Sequence, residues 1–141
     1  YLDLPLQHIN ARLLRAMNRR GSPEYIRALV EKCHALGITL RTTMIVGFPG
    51  ETEEEFEELL DFVDEAQFDR LGAFTFSPEA GTAAAEMDGQ IDEDIKAERL
   101  DDLWPLADGS ARERWQNLVH QRAAHRARRI RARENHPRGA L

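Results

Sequence analysis

The 141-residue chain is 42% hydrophobic and 31% charged, enough apolar material for one packed domain and no run that would span a membrane. Its net charge of −6 conceals a split: residues 1–110 hold 10 basic against 23 acidic side chains, and residues 111–141 hold nine arginines against Glu113 and Glu134. A single cysteine, Cys33, excludes an internal disulfide, a four-cysteine zinc site and a three-cysteine iron–sulfur motif within these residues, and fits a reducing, cytoplasmic setting.

Tyr1–Leu6 is rich in leucine and reads as a buried strand ending near Gln7 and His8; a chain opening inside a strand suggests a piece of a longer protein. Asn10 caps a short helix to about Met17, with Leu13, Leu14 and Met17 on one side. Ser22-Pro23 starts a second helix whose stripe is Ile26, Leu29, Val30, Cys33 and Leu36, stopped at Gly37. On that stripe Cys33 reads as a packed core thiol rather than a nucleophile.

The next stretch organises the rest. Thr39–Val46 is β-branched and apolar, Gly47-Phe48-Pro49-Gly50 breaks it, and Thr52 with Glu55 three residues on forms a capping box for a helix to Ala66. Phe56, Leu59, Leu60 and Val63 form that helix's buried face, widened by Phe62. Glu53, Glu54 and Glu55 sit in its first turn, where negative charge complements the helix dipole, so they read as a solvated N-terminus rather than a metal site. Loops after strand C-termini in α/β folds are where ligands sit, and Gly47 and Gly50, lacking Cβ atoms, would let one approach the backbone. A generic βα turn with punctuating glycines reads the same residues equally well.

A third strand, Leu71–Phe76, closes at Ser77-Pro78. Ala80–Gln90 is a small-residue loop, and Asp92 caps a last helix with Ile95, Leu100, Leu103 and Trp104 inward, interrupted near Pro105. Alternating strands and helices argue parallel strands, hence a doubly wound sheet or a barrel segment. Right-handed crossovers would bring Gln7-His8, Gly47–Gly50 and Ser77–Gly81 to one edge. No Ser/His/acid set, Walker lysine or Gly-x-Gly-x-x-Gly occurs, and no catalytic residue is assigned. The domain reading is 1–109 for the α/β part and 110–141 for an arginine-rich helical or disordered tail. That tail reads either as a solvated terminus or as a contact for ribosome or nucleic acid.

Three spaced motifs carry a resemblance over about Tyr1–Leu103: Tyr1–His8 with Arg12–Met17, then Ile45–Thr52, then Phe74–Thr82. Together they resemble the second half of the core of the radical S-adenosylmethionine methylthiotransferases. The histidine after Pro-Leu-Gln and the Glu-Ala-Gly-Thr loop lean to the branch that modifies an aspartate of a small-subunit ribosomal protein, with the tRNA-modifying branch second. The resemblance implies a partial (β/α) barrel of about three parallel strands with flanking helices, S-adenosylmethionine as cofactor, and an iron–sulfur cluster whose ligands lie outside these residues. It places Gln7 near the cofactor's ribose or methionine part, Gly47, Phe48 and Pro49 along the adenosine pocket, and Phe76, Ser77 and Pro78 against the adenine. Arg41 would reach the cofactor carboxylate or else form a rim ion pair, and His8 would shape the substrate side. The ribosomal protein (or tRNA) is then the partner, with no membrane involved. A non-catalytic remnant with a basic tail is the competing reading.

Overall fold

The computed structural model describes residues 1–107; the expected arginine-rich tail, its capping box at Ser110 and the boundary after residue 109 lie outside the described residues. The elements are β1 (Leu2–Gln7), α1 (Ala11–Ala16), α2 (Pro23–Ala35), β2 (Leu40–Val46), α3 (Glu53–Ala66), β3 (Arg70–Thr75), a 3-10 turn (Ala84–Glu86) and α4 (Glu93–Ala107). The strands lie in the order β1-β2-β3, all parallel, with Leu2 beside Leu40 and Arg41 through Val46 paired in register with Arg70 through Thr75.

Local chemistry starts each helix as the sequence predicts. The Asn10 side chain accepts from Leu13 N–H, Ser22 from Tyr25 N–H with Pro23 following, and Thr52 from Glu55 N–H while Glu55 returns to Thr52 N–H. Along β2, Leu40, Thr42, Met44 and Val46 are buried, whereas Arg41, Thr43 and Ile45 face the other side. The buried set joins Leu71 and Ala73 of β3, Ile26, Val30 and Cys33 of α2, Phe56, Leu59, Phe62 and Val63 of α3 and Leu103 of α4 in one core. The helices therefore cover a single face of the sheet. That decides for a barrel segment over a doubly wound sheet.

Three expectations need correction. β1 is not buried: its residues are exposed or half-buried, because it is an edge strand of the described sheet. Leu36 is exposed, since it caps α2 past the last turn that faces the core. On α4, Ile95 and Trp104 are exposed, Lys96 takes the inward position instead, and the helix runs on through Pro105. Among the described residues no helix is long and apolar enough to cross a membrane.

One irregularity shapes the end of β1. Pro5 has no N–H to give to the ladder, and the β1–β2 register shifts between Leu4 and Gln7. The buried Thr42 hydroxyl fills the gap, donating to Leu4 C=O at 2.6 Å with Leu6 N–H 3.5 Å from its oxygen. Gln7 then takes φ 70°, a left-handed conformation costly for a residue with a Cβ.

Candidate functional site

Because the three strands are parallel, their C-terminal ends share one rim, where Gln7-His8, Gly47–Gly50 and Phe76–Pro78 emerge. Glu51 is the hub of that rim. It and His8 are wholly buried, and His8 Nε2 lies 2.9 Å from Glu51 Oε2. His8 Nδ1 accepts from the N–H groups of Ile9 and Asn10 at 3.0 and 3.1 Å, so Nε2 carries the proton and donates to Glu51. The other Glu51 oxygen accepts from Gly47 N–H at 3.0 Å and from the Arg99 guanidinium at 2.7 Å. One carboxylate thereby ties the end of β1, the turn after β2 and α4.

A second tie runs outside the first. Arg12 donates from Nε to Glu55 Oε2 at 2.9 Å, makes a further short contact with Glu55 Oε1, and reaches Gly50 C=O at 2.8 Å. Burial alone would raise the Glu55 carboxyl, but the Arg12 hydrogen bond, the Thr52 backbone and hydroxyl bonds and the Arg12 charge together hold it below its ordinary value. The same hydrogen bond raises the Arg12 guanidinium above its ordinary value, outweighing desolvation. Glu55 is therefore a buried partner rather than part of a solvated acidic run, as its position in the first turn had suggested.

The third element is Lys96 of α4. Its Nζ donates to Phe76 C=O at 3.0 Å and to Glu93 Oε1 at 2.9 Å, and stands 5.5 Å from the Phe76 ring centroid. Its stem occupies the space beside Gly47, where a Cβ would lie 2.4 Å from Lys96 Cγ. Phe76 in turn meets Phe48 edge-to-face, with centroids 5.3 Å apart at 71°.

The expected site residues separate on this map. Gln7, Gly47, Phe48, Pro49, Phe76, Ser77 and Pro78 do converge on the rim. Phe48 and Pro49 are buried, Ser77 and Pro78 exposed, and the Gln7 amide makes no hydrogen bond among the described residues. His8 has no exposed surface and both ring nitrogens are engaged, so it braces the rim from beneath instead of facing a substrate. Arg41 is misplaced as a carboxylate ligand: it is the second residue of β2, five residues before the rim, or about 16 Å at strand rise. There it faces Asp3 at 4.0 Å, the ion-pair alternative, at the opposite end of the strands. The reason expected for Gly47 also changes, since Lys96 rather than open space adjoins it, and its φ of 77° suits glycine. Glu51, Lys96 and Arg99 were missed; the only sequence signal was two cations three residues apart on α4, a spacing that shares one helix face.

These residues fit the nucleoside part of S-adenosylmethionine: a braced aromatic pair, an adjacent exposed Ser77-Pro78 backbone and an unpartnered amide at Gln7. They do not supply a cluster. Cys33 is buried in the core, and no group of three or more His, Cys, Asp or Glu among the described residues is arranged to hold a metal ion.

The Radical SAM superfamily matches residues 1–63. A protein named ribosomal protein uS12 methylthiotransferase RimO from Pelotomaculum thermopropionicum is 63% identical over 98 residues, covering 68% of this chain and 22% of that protein. The protein of the same name from an Anaeromyxobacter species is 48% identical over 124 residues, covering 86% of this chain and 26% of its own length. Among solved structures, coproporphyrinogen III oxidase (HemN) from Escherichia coli, described as a radical SAM enzyme, aligns with a TM-score of 0.58 at 26% identity over 73% of this chain and 24% of that one. Elp3 from Methanocaldococcus infernus shares the fold at TM-score 0.55 and 16% identity over 74% of this chain and 26% of its own.

Sheet, rim and matches together define a segment of a radical SAM core. Within that class the chain belongs to the radical SAM methylthiotransferase family, on the branch of the proteins named RimO. It spans about a quarter of the length of the curated relatives it matches.

Proposed function

We propose that this segment forms the adenosine-binding wall of a methylthiotransferase that modifies an aspartate of ribosomal protein uS12. The observation that carries the reading is the convergence of Gln7, Gly47–Pro49 and Phe76–Pro78 on one braced rim. When bound at a cluster, S-adenosylmethionine supplies reductive cleavage at its sulfonium. The chain's own part is to bind and orient. Phe76, held against Phe48, offers a flat apolar surface to the adenine; Ser77-Pro78 closes over its edge; the Gln7 amide is free to donate to the ribose or the methionine part. Glu51, His8 and Arg99 keep the turn after β2 in place. Alone, the 141-residue chain is expected to cleave no S-adenosylmethionine, because its single thiol cannot hold a cluster.

The test is a chimera in which residues 1–107 replace the matching segment of the Pelotomaculum thermopropionicum relative, with its iron–sulfur content reconstituted anaerobically. S-adenosylmethionine cleavage and a methylthio mass increment on uS12 are expected. Loss of both, with cluster absorbance and thermal midpoint retained, would reject the reading.

A further inference from the structure

The cluster-free side of the rim holds a buried ammonium that the binding reading does not use. Lys96 is 1% exposed, yet one of its two acceptors, Glu93, has a side chain that is 78% exposed. Removing an ammonium from water is costly, and a pair with an exposed carboxylate returns little. Methionine would fill the space beside Gly47 with nearly the same shape and no such cost. Stability therefore does not explain a charge here. What lysine does and methionine cannot is donate to Phe76 C=O, at 3.0 Å.

That carbonyl is well placed to matter. Phe76 N–H is bound to Val46 C=O at 2.8 Å, so the peptide groups on either side of Phe76 tie the ends of β2 and β3 to α4. The aromatic ring between them leans on Phe48, and the lysine stem fixes Gly47. We propose that Lys96 is a positioning residue of the cofactor site, holding the Phe76 backbone and the Gly47 turn in the geometry that accepts the adenosine part of S-adenosylmethionine. This rests on the methylthiotransferase reading above. It makes α4 a working part of the site and not only a cover for the sheet.

The experiment uses the same chimera with Lys96→Met and, separately, Glu93→Gln. Lys96→Met removes a charged donor but leaves no buried charge behind, since Glu93 returns to water. The expected result is an S-adenosylmethionine KM raised about 10-fold with kcat within about twofold, and a thermal midpoint unchanged or higher. Affinity for 5′-methylthioadenosine, which carries the adenosine without the amino-acid part, should fall by the same factor. Glu93→Gln keeps the Phe76 contact and should bind normally. An unchanged KM for Lys96→Met would overturn the proposal. So would a lowered midpoint or failure to fold, which would make the role structural, and so would an equal loss in Glu93→Gln. If the chimera with Lys96 intact binds no S-adenosylmethionine, the functional reading itself falls, and this inference with it.

Discussion

The two ends of the same three strands carry charge in opposite ways. At the N-terminal end Asp3, Arg41 and Arg70 are exposed, and Arg41 approaches Asp3 only to 4.0 Å. At the C-terminal end Glu51 is sealed from solvent, with His8, Arg99 and Gly47 N–H all within 3.0 Å of its two oxygens. Charges in water gain little from pairing, whereas buried ones must be matched donor for acceptor, so a buried network marks the end where geometry is held. Arg41 and Arg99 look alike as letters. Depth in the fold separates them.

The largest break in this contrast is expected from Glu51→Ala, which strips Arg99, His8 and Gly47 N–H of their acceptor and should cost about 3–5 kcal/mol in urea unfolding, against almost nothing for Asp3→Ala. Next is Gly47→Ala. Its new Cβ would collide with Lys96 Cγ and sit at positive φ, for a loss of about 1–3 kcal/mol. Adding Lys96→Ala should recover part of that, a coupling of at least about 0.5 kcal/mol that an ordinary turn glycine would not show.

A smaller effect comes from Glu55. Its folded carboxyl titrates below the ordinary value of 4.5, so its contribution is complete above that pH and is lost as pH falls through the lowered folded value. Glu55→Gln keeps a capping-box residue while removing the charge opposite Arg12, and should cost about 0.5–1 kcal/mol at neutral pH and less in acid. Thermal midpoints at pH 7 and pH 3 would show the difference narrowing; a constant difference would sink the assignment. Smallest of all is Arg41→Ala, expected within about 0.5 kcal/mol of the parent and, in the chimera, without effect on S-adenosylmethionine affinity. A large affinity loss would restore it to the cofactor site.

Much of the scaffold was legible because its signals are local. The Thr52–Glu55 capping box and the Phe56, Leu59, Leu60, Val63 spacing define α3 to the residue, and β-branched runs bounded by glycine or proline define β2 and β3. The rim was legible too, since parallel strands put their loops together. What escaped depends on distant partners. Lys96 points inward because Gly47, 49 residues earlier, leaves space for its stem and Phe76 offers a carbonyl; an amphipathic reading sends a lysine to solvent and Ile95 to the core, the reverse of the structure. Glu51 is hidden by the glutamates that follow it, of which only Glu55 is also buried. Arg41 was a different failure: its place near the start of β2 was readable, and counting strand rise would have removed it from the site.

Cys33 lies among Ile26, Val30 and Leu40, wedged between α2 and the sheet and shielded from solvent. As the chain's sole thiol it works as a built-in clock. A thiol reagent can reach it only when α2 lifts from the sheet, so the labelling rate at saturating reagent counts those openings directly. Comparing that rate with global unfolding would tell whether the helix side of the sheet breathes independently of the braced rim, with no mutation or attached dye.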